Sequence, residues 1–323
     1  MRAFGRLVRS LRSLVVFAAS VVLGTSSIPF VRLQAADAAA VLAAARDAMG
    51  GEKRIEAVRT FIANGRTRQI RGDNLVPIEF EIQVELPDKY SRRDEFPAQD
   101  AGPATAGFNG DRLIQIPPAP PPVARAGGPP LPSAAQQEAA IRGRVATSKQ
   151  DFARLMLGLF ASSYASFPLS FDYVAQAEAP EGTADVLDVK GPANFTARLF
   201  VSAQTHLPIM LSWRVQAPPA RGGGPGGPGG QSPTRGGAPP AAPPTRADGG
   251  GPPPGAPAPP GPTSTAPAPV ENRMYFADYR DVDGLKLPFR IRRAVGSETT
   301  EETIFDRFRI NARTDARRFE VGN

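Results

Sequence analysis

Ile78-Glu79-Phe80-Glu81-Ile82-Gln83-Val84-Glu85-Leu86 alternates apolar and polar side chains without a break. A period of two places the apolar side chains on one face of a β-strand and the polar side chains on the other. Strands with one wet face are typical of antiparallel sheets. The stretch therefore predicts a sheet with one apolar face that something must cover.

Turn signals on both sides of this strand extend the sheet by hairpins. Pro87-Asp88 and Asn109-Gly110-Asp111 each predict a tight turn, and strands joined by such turns pair antiparallel. The full set comprises about eleven strands: a strand from Thr60 onward, Ile78–Leu86, Lys89–Phe96, Arg112–Ile116, Leu169–Ala177, Ala184–Val189, Phe195–Ser202, Pro208–Gln216, Glu271–Tyr279, Leu285–Val295 and Thr300–Ile310.

Two or three helices accompany the strands. Asp37–Met49 is rich in strong helix formers and ends at Gly50-Gly51, and a short helix over Glu52–Val58 follows. Ala134–Ala161 has helical composition, with apolar residues at helical spacing in its second half. The sequence therefore predicts an α+β fold that is mainly antiparallel β.

The N-terminus is typical of an export signal. Met1–Arg12 is basic and free of acids, and Leu14–Leu23 (LVVFAASVVL) is an uninterrupted apolar run of ten residues. A membrane-spanning helix needs about 20 residues. We expect residues 1–35 to be a signal peptide, cleaved either after Ser27 or around Ala35–Ala38, and the product to lie in the periplasm.

Two Pro-rich segments interrupt the remaining chain. Pro117–Ser133 is a loop, and Pro218–Pro269 contains 18 Pro and 14 Gly with nothing apolar larger than Ala. Such a composition cannot build a core, so we expect the second segment to be disordered. It separates two strands that should be neighbours, which makes it an enlarged hairpin loop within one domain spanning residues 36–323.

Charge and residue usage exclude several function classes. The formal net charge is +7, but the first 35 residues carry five Arg and no acid, so the rest is nearly balanced. This balance gives no electrostatic case for nucleic acid. The chain has no Cys and one His, which removes thiol chemistry and makes a metal site or catalytic triad improbable. No cofactor is predicted.

Local sequence words, taken in order, resemble one family. The words are Leu86-Pro87-Asp88-Lys89-Tyr90, Phe108-Asn109-Gly110-Asp111-Arg112-Leu113, Leu199-Phe200-Val201 with Gln204-Thr205-His206-Leu207-Pro208, and Tyr275-Phe276-Ala277-Asp278-Tyr279 with Asp283-Gly284 and Leu287-Pro288. With the order helix, glycines, meander, apolar helix, second meander, they resemble the LolA-like periplasmic lipoprotein carriers and outer-membrane lipoprotein-sorting proteins.

The resemblance implies an incomplete, half-open β-barrel wrapped around the helices, with an apolar cavity for the acyl chains of a lipid or lipoprotein. The candidate cavity residues share an apolar character and an expected inward orientation: Phe80, Ile82, Val84, Phe152, Met156, Phe160, Leu211, Trp213, Leu287, Phe289 and Ile291. Apolar alternation is identical for a filled core and a ligand-lined cavity, so both interpretations stay open.

Other polar groups have ordinary structural explanations. His206 and Asp281-Val282-Asp283-Gly284 fit hairpin turns better than catalysis or calcium binding. Glu298, Glu301 and Glu302 form an acidic edge near Arg290, Arg292 and Arg293 of the preceding strand, which predicts cross-strand pairing at the surface rather than a carboxylate pair for glycoside chemistry. The leading hypothesis is therefore a monomeric, non-catalytic lipid- or lipoprotein-binding protein. The alternative is an envelope protein-interaction or sensing module that uses the half-barrel as a filled scaffold.

Overall fold

A computed structural model describes residues 37–72, 74–97, 102–124, 130–179, 182–216 and 269–321. The predicted signal peptide and residues 217–268 of the large insert lie outside this part. The helices are α1 (Ala38–Ala48), α2 (Glu52–Glu56) and α3 (Ala134–Phe160), and the strands are β1 (Thr60–Arg71), β2 (Asn74–Glu85), β3 (Lys89–Glu95), β4 (Ala104–Asn109), β5 (Arg112–Ile116), β6 (Ser170–Ala179), β7 (Gly182–Gly191), β8 (Phe195–Ser202), β9 (Pro208–Val215), β10 (Val270–Val282), β11 (Leu285–Val295) and β12 (Glu298–Ile310).

All twelve strands form one antiparallel sheet in the order β5-β4-β3-β2-β1-β12-β11-β10-β9-β8-β7-β6. The mainly antiparallel, half-open fold predicted from the sequence is confirmed. The count of eleven strands was too low, because β4 was not assigned. Its sequence, ATAGFN, contains small residues and only one large apolar side chain, so it lacks a visible alternation.

Helix α3 connects the two edge strands of this sheet. The chain leaves β5 at one edge, runs through α3 and enters β6 at the other edge. Phe152 of α3 contacts Tyr90 and Phe108 on β3 and β4, whereas the Arg154 guanidinium lies 4.4 Å from the ring centroid of Trp213 on β9. Strands far apart in the sheet thus contact neighbouring residues of one helix, so the sheet curves around α3.

The two halves of α3 differ in burial. Ser133 and Gln136 form a capping box at its N-terminus, and residues 134–144 are exposed. From Phe152 to Phe160 every residue is buried, and the helix stops at Ala161, which has a left-handed φ of 46°. None of the helices in the described part has the length and apolarity required to cross a membrane.

Helix α1 is held against the sheet at its C-terminal end. The Lys286 amide donates to the Met49 carbonyl over 2.9 Å. Gly50 follows with φ 123°, and a Cβ there would lie 2.2 Å from the Gly284 carbonyl oxygen. Glycine is therefore required for this approach of the chain to the β10–β11 turn.

Strands β9 and β10 pair directly, with Val215 opposite Val270. The large insert therefore connects neighbouring strands, as expected of an enlarged hairpin loop. Growing a loop from four to about 52 residues costs only about 2 kcal/mol in closure entropy, which explains why the sheet accommodates it.

Gly158 should be the least replaceable position of α3. A Cβ there would lie 2.0 Å from the buried ring of Phe276, whereas Gly143 on the same helix has nothing within 4 Å. Both Gly158→Ala and Gly143→Ala gain helix propensity, but only the first overpacks the core. We expect Gly158→Ala to be about 1–3 kcal/mol less stable than Gly143→Ala in urea unfolding. Equal stabilities would contradict the close packing of α3 on β10.

Candidate functional site

The inner face of the sheet, defined here as the face that packs on α1 and α3, holds eight of the eleven candidate residues, and the other three, Phe152, Met156 and Phe160, lie on α3 in the same apolar cluster. Ten of the eleven belong to one buried apolar cluster and are no more than 6% exposed, while Trp213 is half-buried at its margin. Strand alternation puts the eight strand residues on one face, as in Ile291 opposite Phe276 and Leu211 opposite Met274. The sequence thus identified residues that the fold brings together.

Helices α1 and α3 already cover much of this face. Val41, Leu42 and Ala45 of α1 are buried in the same cluster as Phe61 of β1 and Leu187 of β7. Phe160 packs against Phe61 with ring centroids 5.9 Å apart. Interiors packed in this way gain about 1.5–3 kcal/mol for each large apolar side chain removed from water.

The inner face changes from apolar to polar toward one end of several strands. Along β1 the inner residues change from Phe61 and Ala63 to Thr67. Along β12 they change from Phe308 and Phe305 to Thr303 and Glu301. At the same end of the sheet the inner residues of the other strands are also polar: Arg92 and Asp94 on β3, Asn272 on β10 and Arg293 on β11. We name the polar inner residues together the polar end of the inner face: Thr67, Arg92, Asp94, Asn272, Arg293, Glu301 and Thr303. Strands β2 and β8 carry apolar side chains on this face from Ile78 to Val84 and from Phe195 to Val201, whereas β7 also carries the buried Asp185 there, opposite Val201.

Hydrogen bonds connect the polar end across three strands. Arg92 donates from Nε to Asp94 Oδ1 over 2.7 Å and from Nη2 to Thr67 Oγ1 over 3.2 Å. Thr67 and Thr303 share a buried hydrogen bond of 2.8 Å, and Thr303 donates to Glu301 over 3.2 Å. Because the single hydroxyl hydrogen of Thr303 goes to Glu301, Thr67 must be the donor to Thr303. Such chains polarise each bond in the same direction.

Arg293 completes this row on β11. Its Nε lies 3.7 Å from Glu301 Oε1, which is longer than a hydrogen bond. The sequence predicted pairing at the surface for the charged residues of β11 and β12. That prediction is right for Arg290 and Glu302, whose side chains lie on the outer face and form an ion pair. Arg293 and Glu301 also pair across the strands, but their register places both on the inner face with Ile291 and Thr303.

Arg154 brings a third guanidinium from helix α3. It stacks over the rings of Trp213 and Phe195, at 4.4 and 5.2 Å from their centroids, and donates from Nη1 to Asp151 over 2.8 Å. Burial lowers the pKa of Arg154, and the positive charge of Arg293 lowers it further, against the opposing effect of Asp151. Sequence reasoning missed this residue, although a lone charge within an apolar helical run was a usable signal.

The polar groups with structural interpretations lie in turns. His206 is exposed, with φ 56°, between β8 and β9. Asp281 accepts from the Gly284 amide over 3.1 Å, which closes the β10–β11 turn. A hollow of about 270 Å³ is lined by residues of β7, β8, β9 and β10, among them Asp188, Arg198, Trp213 and Glu271. Within the described residues, no group of three His, Asp or Glu could hold a metal ion.

Comparisons with known proteins find similarity only among solved structures. No family model matches the chain, and no curated protein is similar to it. A LolA superfamily protein from Nitrosomonas europaea aligns at 11% identity with a TM-score of 0.46, covering 87% of this chain and 97% of that chain. A domain described as an outer membrane lipoprotein-sorting protein, from Vibrio parahaemolyticus, aligns at 9% identity with a TM-score of 0.41, covering 86% and 95%.

A DUF1329 family protein from Desulfovibrio piger aligns at 8% identity with a TM-score of 0.39, covering 88% of this chain and 97% of that chain. The printed names of the first two structures mention the LolA superfamily and lipoprotein sorting, the family that the sequence words resemble. At identities of 8–11% they are distant likenesses of fold and carry no function with them.

Tyr90 offers a pH-dependent measurement of this interior. Burial raises the pKa of its phenol to about 12, against a smaller lowering by Arg92. The phenol loses its proton near pH 10 in the unfolded chain and near pH 12 in the folded protein. The protonated phenol therefore contributes its full stabilisation below pH 10, and this contribution falls as the pH rises above 10. Between pH 8 and pH 11 the free energy of unfolding in urea should therefore fall by about 1.4 kcal/mol more for the wild type than for Tyr90→Phe. Parallel loss in both proteins would show that the phenol is not buried in this way.

Proposed function

We propose that this protein binds an acyl-chain amphiphile, a lipid or the lipid-modified end of a lipoprotein, on the inner face of the sheet, without catalysing a reaction. The observation that carries the proposal is the division of that face into an apolar cluster and a polar end. An amphiphile has the same division, so its chain and its head can each meet matching groups. Water leaves both the chain and the protein surface on binding, at about 0.8 kcal/mol per buried CH₂.

The half-buried apolar residues suggest where the acyl chain first makes contact. They lie at the margin of the cluster, on both edge strands and beside the polar end, and include Leu113 on β5, Phe171 and Tyr173 on β6, and Trp213 on β9. Strands β5 and β6 are the two edges of the sheet and share no ladder. A chain that enters between them breaks no backbone hydrogen bond, whereas entry between any other two neighbours would.

The proposed location is the periplasm, which follows from the export signal expected in residues 1–35. The name of the Vibrio structure mentions lipoprotein sorting, and this agrees with the proposal, which rests on the geometry of the inner face. The protein would act as a monomer that shields one amphiphile from water.

The alternative is a scaffold that binds an envelope protein and no lipid. The low exposure of ten candidate residues favours it, because α1 and α3 already fill the space in front of them. The two proposals differ in what must happen to the helices: a lipid must displace some of their apolar side chains, whereas a protein partner needs only the outer surface, the edges or the insert.

Native mass and solvent extraction test the first proposal. The protein exported from the full chain and purified without detergent should carry a discrete excess mass that organic solvent removes. Trp213→Ser should weaken rebinding of the extracted lipid about tenfold or more, since two lost CH₂ contacts already exceed 1.4 kcal/mol. Val174→Ser, an exposed aliphatic on edge strand β6 outside the cluster, is the matched control. A bare mass, with added lipids also failing to bind, would refute the proposal.

Replacing residues 217–268 by a short turn between Gln216 and Pro269 separates the two candidates. The closing pair Val215–Val270 should keep the sheet intact, and the shorter loop should stabilise it by about 2 kcal/mol in urea unfolding. Lipid binding should be unchanged in the shortened protein. Loss of lipid binding in a protein that is still folded would contradict the inner-face site and favour a function of the insert.

A further inference from the structure

Three guanidinium groups face one region inside the sheet, although they come from three separate elements. Arg92 belongs to β3, Arg154 to α3 and Arg293 to β11. Arg293 is near enough to lower the pKa of both Arg154 and Tyr90, and the charge of Arg92 also lowers the pKa of Tyr90. The geometry agrees: Arg92 and Arg293 stand at the two ends of the row that runs through Thr67, Thr303 and Glu301. Arg154 stacks on Trp213, which pairs with Asn272 of the polar end.

The carboxylates in this region do not use up the donors of these arginines. A guanidinium has five N–H groups. Asp94 and Thr67 occupy two nitrogens of Arg92, and Asp151 occupies one nitrogen of Arg154. Glu301 stays beyond hydrogen-bond distance of Arg293, at 3.7 Å. Several charged donors thus remain for an additional acceptor.

Arg154 supplies an independent sign that an acceptor is missing. Its side chain is only 9% exposed, and its Nε is buried without a hydrogen-bond partner among the described residues. Buried charged donors are nearly always paired in native proteins, so an orphaned one requires an explanation. The rings of Trp213 and Phe195 hold the guanidinium in place, which fixes the direction of this donor.

We propose that Arg92, Arg154 and Arg293 bind the phosphate of an anionic lipid headgroup at the polar end of the inner face. The inference rests on the proposed function, in which the acyl chain of the same molecule lies on the apolar cluster. Guanidinium groups match the oxygens of a phosphate with paired, charge-assisted hydrogen bonds, which a neutral headgroup cannot form. The flat ring of Trp213 lies where head and chain would meet, beneath Arg154.

Two lipids with the same acyl chain distinguish binding of the headgroup from binding of the tail. Myristoyl lysophosphatidic acid carries a phosphate, and monomyristoylglycerol carries none. Trp213 is the single tryptophan of the chain and touches Arg154, so its fluorescence reports binding. Below their micelle concentrations, we expect the phosphate lipid to bind at least tenfold more tightly, and we expect salt to weaken its binding but not that of the neutral lipid.

Arg293→Gln should remove most of the preference for the phosphate lipid and leave the affinity for the neutral lipid unchanged. Arg290→Gln is the matched control, because Arg290 lies on the same strand with the opposite orientation, and the variant changes the net charge equally. Arg154→Gln should behave like Arg293→Gln. The salt dependence of the wild type tests the same point without any variant, should one of them fail to fold.

The outcomes distinguish this inference from the proposed function. If both lipids bind with equal affinity, the phosphate site is refuted and acyl-chain binding stands. If neither lipid binds, the proposed function and this inference both fail. If inorganic phosphate alone binds in an Arg293-dependent way and the lipids do not compete with it, the site takes free phosphate and the headgroup assignment is overturned.

Discussion

The structure depends on one constraint, which is that helix α3 must connect the two edges of a twelve-stranded sheet. The connection can be made only if the sheet curves until both edges approach the helix. Residues 152–160 supply the apolar surface for this, and Gly158 lets the helix backbone come directly onto Phe276. Because the sheet curves around the buried half of α3 and also packs on α1, its inner face is concave, and the candidate site lies on that concave face.

The same curvature creates the contrast between the two ends of the inner face. Residues of five strands that are separated widely in the chain meet at the polar end, where Arg92, Thr67, Thr303 and Glu301 form a directed chain of hydrogen bonds. In a flat sheet these side chains would face open water and gain little from one another. Beside a buried apolar cluster the effective dielectric constant is lower, so their charges are felt more strongly by each other and by a ligand.

Much of the fold was predictable because its signals are local. The alternation in Ile78–Leu86 identified β2 and the buried side of its face, and turn residues located most of the hairpins. Strand β4 was missed because ATAGFN pairs well in the sheet through its backbone while showing no alternation of large side chains. Of the candidate site, the sequence predicted the apolar part and not the polar part. Apolar positions such as Phe289 follow from the pattern, whereas the inward orientation of Arg293 depends on a register with β12 that no short stretch encodes.

The sequence by itself determined the antiparallel sheet, the apolar half of α3, the position of the large insert between paired strands and the set of side chains that would share a face. It could do so because periodicity, turn chemistry and composition act over a few residues. Only the tertiary structure decided how completely α1 and α3 fill the inner face, that Arg154 stacks on Trp213 and that Arg92 and Arg293 lie inside the curve. Those outcomes depend on contacts between residues far apart in the chain, and such contacts exist only after the sheet has curved around its helices.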